Sequence, residues 1–278
     1  ALCNYTLAMS GLIEMSSLAF MLDPASVARC LALGQSVVGD WRSAEARLAA
    51  GLSNATAPWR FPGGHANTTL RRTCVQHVPY PRLHFMGLSL STGTEARPVE
   101  ALVHGAFRDP RASLSGLDVG CGRFVTPPSV VCRGPVRAST VSEELFWLSS
   151  QHEPMFSEGA VGTLVRTPLD GAACSASLIA NSTSLRSLYA RLGSAVCDAR
   201  RQASTQLARF YAQEGLDDMD MTEAESNVND LTSEYCQYQD ATCEDTGCFS
   251  EDEESDDSGV QRQNPPRRRA EASRAAAD

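Results

Sequence analysis

Between residues 222 and 241 the carboxylates Glu223, Glu225, Asp230 and Glu234 are set around a segment whose apolar residues keep helical spacing. Val228, Leu231, Tyr235 and Tyr238 form one stripe, so a helix here packs by that stripe and leaves acids on its other faces. The chemistry of such an array is electrostatic. It attracts and steers basic partners, and salt screens it. Thr222 and Glu225 stand at capping-box spacing, which predicts a helix start at that point. Beyond residue 241 six acids fall within residues 251–257, followed by Arg262, Arg267, Arg268, Arg269 and Arg274. That block polyampholyte has too little apolar surface to fold, and its basic end is placed to fold back on the acids.

The other reactive residue types form no catalytic pattern. Ten cysteines and five histidines are present, but no GxSxG, HExxH or papain-like cysteine context occurs. Cys243 and Cys248 lack a second close Cys/His pair, so a zinc site is not expected. No GxxxxGK[ST] loop is present. Sequons at Asn4, Asn54, Asn67 and Asn181, together with the cysteines, raise the rival reading of a secreted, disulfide-bonded glycoprotein. Against it, the cysteines are scattered, and a chain of 278 residues needs no disulfides to fold.

The size allows one large domain or two ordinary ones. Hydrophobic content of 42% with 21% charged residues is globular, and a net charge of −9 argues against nucleic acid as a partner. Residues 7–22 are interrupted by Glu14 and make a poor signal peptide. No apolar run reaches the roughly 20 residues needed to cross a bilayer, so no membrane partner is expected. The chain opens Ala1-Leu2-Cys3 without Met, which reads as processing or a fragment.

The positioning elements follow from periodicity and breakers. Helices are predicted over 41–52, 70–78 and 99–107, from 142 onward, and from 182 onward, where Leu185, Leu188, Leu192 and Val196 form a stripe continued by helical composition at 205–212. Strands are predicted over 82–90, 123–132, 161–168 and 175–181, with a loop at 91–98. Pro127-Pro128 lack ladder donors, which predicts an edge strand or a bulge there.

Five stretches carry a resemblance to one family. RFPGGHANTTLRR at 60–72, VPYPRLHF at 78–85, GRFVTPPSVVCRG at 122–134, SASLIANSTSLRSLYARL at 175–192 and AQEGLDDMDMTEAESNVNDL at 212–231 are collinear with tubulin motifs. Asn4-Tyr5-Thr6-Leu7 resembles the same family's NATL, and TEAESNVNDLTSEYCQYQDA resembles the last helix of beta-tubulin. The chain thus resembles a divergent beta-tubulin over about residues 4–249, without the family's GGGTGSG loop. The resemblance implies an α/β fold in four parts. Residues 1–58 would be the end of a nucleotide-binding domain with its core helix, and 59–180 a two-layer α/β sandwich. Residues 181–241 would be a C-terminal helical pair, and 242–278 a disordered tail.

It further implies a structural constituent of microtubules in the cytoplasm. Its partners would be alpha-tubulin, neighbouring subunits, motors and microtubule-associated proteins, with GTP and Mg2+ bound by the complete protein. The alternative is a non-polymerising, tubulin-like interaction protein that does not bind GTP. Trp41 and Glu45 fall at guanine-contact positions, while the family's sugar-contacting asparagine falls near Asp23-Pro24. By itself this chain is expected to hold GTP poorly. Glu223, Glu225, Asp230 and Glu234 would face motors and associated proteins. Arg72 stands where alpha-tubulin supplies a hydrolytic glutamate, so GTP hydrolysis on a neighbour is not expected. Residues 86–99 are shorter than the family's lateral-contact loop.

Overall fold

The computed structural model describes residues 2–33, 41–61, 69–93, 98–151, 159–202, 213, 215 and 218–241. In chain order the elements are α1 (Leu2–Met15), β1 (Ala19–Met21), α2 (Pro24–Leu33), α3 (Trp41–Ala55), α4 (Ala57–Arg60), α5 (Leu70–His77), β2 (Phe85–Leu88), β3 (Ser91–Gly93) and α6 (Val99–Arg108). There follow β4 (Ser129–Arg133), α7 (Ala138–Gln151), β5 (Val161–Val165), β6 (Cys174–Ala180), a 3-10 turn at Thr183–Leu185, α8 (Arg186–Gln202) and α9 (Asp218–Asp240).

The strands make one mixed sheet in the order β1-β2-β6-β4-β5, with β3 also on β6. β1 and β2 are parallel, as are β4 and β5, and β6 runs antiparallel to β2, β3 and β4. Strand alternation sorts the side chains to two faces. Val130, Cys132, Ala176, Leu178 and Ala180 pack with Leu102, Val103, Phe107, Val141 and Leu145 of α6 and α7. Val131 and Ile179 pack on the other face with Met86, Leu88, Ala44 and Ala55. Helix α3 lies so close to that face that a Cβ on Gly51 would sit 2.3 Å from Leu114 Cδ1. A third cluster joins Met9, Ile13, Phe85, Leu188, Tyr189, Val228, Leu231 and Tyr235 of α1, β2, α8 and α9.

Two asparagines tie these layers together. Asn54 of α3 donates to Val131 O at 3.2 Å and Ser177 Oγ at 2.7 Å, and accepts from Ser175 Oγ at 2.9 Å. Asn181 donates to Leu83 O at 2.7 Å and His77 O at 3.2 Å. Both are completely buried, and both are sequon asparagines. Cys74, Cys121, Cys132, Cys174, Cys197 and Cys236 are free thiols. These observations oppose the disulfide-bonded glycoprotein.

The predicted helices and strands form, with differences at several limits; α7, for example, begins at Ala138 rather than 142. The segment holding Pro127-Pro128 is neither edge nor bulge: β4 starts at Ser129, just past the prolines, and runs between β5 and β6. Pro128 still serves the ladder, since its carbonyl accepts from Val161 N at 2.9 Å. In the predicted loop at 91–98, residues 91–93 are instead strand β3, drawn in by pairing with β6. The helical composition at 205–212 lies outside the described residues. Among the described residues no helix is long and apolar enough to cross a membrane.

Candidate partner surface

Helix α9 is fixed in rotation by its buried side. Met221, Ala224, Val228, Leu231 and Tyr235 recur every three or four residues and are all buried. They lay the helix on α1 and α8. Each large apolar side chain so buried contributes on the order of 2 kcal/mol. Tyr235 Oη donates to Asn181 Oδ1 at 3.0 Å, and its ring stands 5.5 Å from that of Tyr189. Burial holds both phenols well above their ordinary range, so they remain neutral. Asn227 donates to Ser10 Oγ at 2.9 Å, Thr183 Oγ1 bonds Gln239 Oε1, and Arg123 Nη1 donates to Ala241 O at 2.5 Å.

That anchoring determines which acids face outward. Glu223, Ser226, Asp230, Ser233, Gln237 and Asp240 form an exposed stripe opposite the buried one. Of the acids expected at this surface, Glu223 and Asp230 stand on the stripe, whereas Glu225 and Glu234 are half-buried beside it. Glu234 Oε1 lies 3.2 Å from Arg82 Nε, and Arg82 Nη2 reaches Asn227 O at 3.4 Å. Glu234 therefore joins α9 to the turn before β2. Asp240 went unnoticed in the sequence, although it lies on the same helical face as Asp230.

The expected helix start at Thr222 is corrected. α9 begins at Asp218, four residues earlier. Asp220 lies in its first turn, where the helix dipole favours acids, and buried Met221 secures that turn.

The nucleotide-related positions lie on α3 and at the start of α2. Trp41 opens α3, with its side chain outside the described residues, and Glu45 lies one turn on, exposed. Asp23 is committed elsewhere. Its Oδ1 accepts from Ala25 N at 3.1 Å and its Oδ2 from Ser26 Oγ at 2.8 Å, capping α2 ahead of Pro24. Arg191 Nη2 of α8 approaches the same Oδ2 at 3.0 Å. Burial alone would raise the Asp23 pKa, but the bonds from Ser26, Arg191 and the Ala25 amide outweigh it and hold it below the usual value. Arg72 is exposed on α5, whose cap Thr69 accepts from Arg72 N at 3.2 Å. Leu70 and Val75 of the same helix are 62% and 75% exposed among the described residues, with Val75 one turn from Arg72 and Leu70 at the helix start.

A helix-covered mixed sheet closed by an outer helix with one apolar and one acidic side places the chain in the α/β class. The sequence is 32% identical over 264 residues to the tubulin beta-1 chain of Hypocrea rufa, covering 90% of this chain and 57% of that relative. It is 32% identical over 269 residues to the tubulin beta-5 chain of Ectocarpus variabilis, with shares of 91% and 58%. Against the tubulin beta-1 chain of Colletotrichum gloeosporioides it is 33% identical over 255 residues, with shares of 87% and 55%. No protein-family model matches the chain. The chain is a divergent relative of the beta-tubulins, and it spans about 57% of the length of the curated relatives it matches.

Proposed function

We propose that the chain acts as a tubulin-type structural subunit that contacts other tubulin subunits and offers α9 to basic motors and microtubule-associated proteins. The observation that carries this reading is the outward stripe Glu223, Asp230 and Asp240, locked in place by the buried stripe behind it. The division at residues 58, 180 and 241 and a cytoskeletal location in the cytoplasm belong to the same reading. The α5 face, with Leu70, Arg72 and Val75 exposed, suits a neighbour along a filament, and alpha-tubulin is the proposed neighbour. GTP and Mg2+ enter as ligands of an assembled subunit, with Trp41 and Glu45 at the edge of that site. Arg72 cannot serve as a base toward a neighbour's nucleotide, so no hydrolytic step is assigned to it.

One observation favours the second reading, a tubulin-like interaction protein that does not polymerise. Only residues 94–98 lie between β3 and α6, which leaves a short segment where lateral contacts would form. Co-pelleting of the full chain with assembling tubulin tests the two. Incorporation into the pellet is expected; a chain left in the supernatant under assembling conditions overturns the subunit reading in favour of the second.

A further inference from the structure

A cavity of about 800 Å³ opens between the start of α2, the end of α6, the loop 113–121 and the start of α8. Four guanidinium side chains line it: Arg29 of α2, Arg108 at the end of α6, and Arg186 and Arg191 of α8. Three carboxylates also line it, and each has a local commitment. Asp23 caps α2 and pairs with Arg191. Asp109 Oδ1 accepts from Arg111 N at 2.9 Å, and Asp118 Oδ1 from Gly120 N at 2.9 Å. Arg29 donates to Ser26 Oγ at 2.7 Å and is otherwise exposed. Arg186 has no ion pair among the described residues, and no acidic residue lies in the first turn of α8 to offset it. On a chain of net charge −9, a cavity with more arginines than carboxylates is a local reversal of sign.

The wall is built before any ligand arrives. Asp23 N donates to Leu114 O at 2.9 Å, Leu88 N to Ser115 Oγ at 2.7 Å, and Ser115 Oγ bonds Met21 O. Gly116 holds φ at +72°, and a Cβ there would sit 3.1 Å from Ser26 Oγ, so a side chain at this position would be strained and crowded against the α2 cap. Rigid walls lower the ordering cost of binding, and guanidinium forks match phosphate oxygens.

We propose that this cavity binds a compact polyphosphate, with Arg29 and Arg186 as its main contacts. Calorimetric titration of the full chain with sodium tripolyphosphate at low salt is the test. Saturable binding is expected, weakened about tenfold or more in Arg186→Gln and in Arg29→Gln and unchanged in Arg72→Gln on α5. Circular dichroism and thermal melting check that each variant folds, and Arg186→Lys, which keeps the charge, should bind at intermediate strength. Absence of saturable binding in the wild-type chain overturns the proposal, as does equal binding by folded Arg186→Gln and Arg29→Gln. GTP and guanosine separate phosphate recognition from base recognition. GTP binding lost in the two variants, with guanosine silent, supports the cavity. GTP binding unaffected by them, without tripolyphosphate binding, assigns nucleotide to the Trp41 and Glu45 edge and overturns the proposal.

Discussion

His77, at the end of α5, is almost fully buried, and its Nδ1 has no hydrogen-bond partner. Burial disfavours the imidazolium and takes its pKa from 6.5 down to about 4. The unfolded chain therefore binds more protons than the folded one between those values, and stability falls as pH drops through that window. The His77 contribution is constant above about pH 6.5 and levels off again below about pH 4, a total loss on the order of 3 kcal/mol. Urea unfolding across this range should show the slope, and a folded His77→Phe variant should flatten it. At Tyr235, replacement by Phe leaves Asn181 Oδ1 buried without its donor and should cost about 1–3 kcal/mol in the same assay. Burial, followed by the neighbouring Cys174, pushes the Cys132 thiol up to about 12, whereas Cys121 is exposed. Thiol titration of the folded chain should modify Cys121 readily and spare Cys132 and Cys174 until denaturant is added.

At the scale of elements, α9 separates acids that face outward from an acid that pairs within the fold. Charge reversal at Glu223 or Asp230 should weaken capture of a basic tubulin-binding peptide severalfold at low salt, with the difference vanishing at high salt. Glu234→Gln should act mainly on stability, by about 0–1 kcal/mol, since its ion pair with Arg82 is partly exposed. The buried stripe of this helix was readable because Val228, Leu231 and Tyr235 repeat with helical period, and the period alone fixes the packed face. The start at Asp218 was not, because a capping-box pattern tests local hydrogen bonding and cannot register the anchoring of Met221. Pro127-Pro128 misled for a related reason. A missing donor excludes those residues from a ladder but says nothing of a strand that begins at the next residue. The four-arginine cavity left no sequence signal at all, since Arg29, Arg108, Arg186 and Arg191 meet only through tertiary packing.

For the whole molecule, the described residues form one tightly connected body from α1 to α9, and the acidic and basic blocks of 251–274 follow it in the sequence. If the basic block competes with partners for the acids, deleting residues 262–278 should strengthen capture by basic partners at low salt; unchanged affinity would count against that masking. The two buried asparagines carry a different consequence. An oligosaccharide is attached to a sequon as the chain enters the secretory lumen, before the fold has closed. Were this chain sent there, sugars on Asn54 and Asn181 would occupy the amides that hold α3 to the sheet and α9 to its neighbours. Export and native structure are thus competing fates. A signal sequence fused to the chain should yield a retained, glycosylated and misfolded product, and replacing both asparagines would remove the glycans at those two positions without restoring the fold.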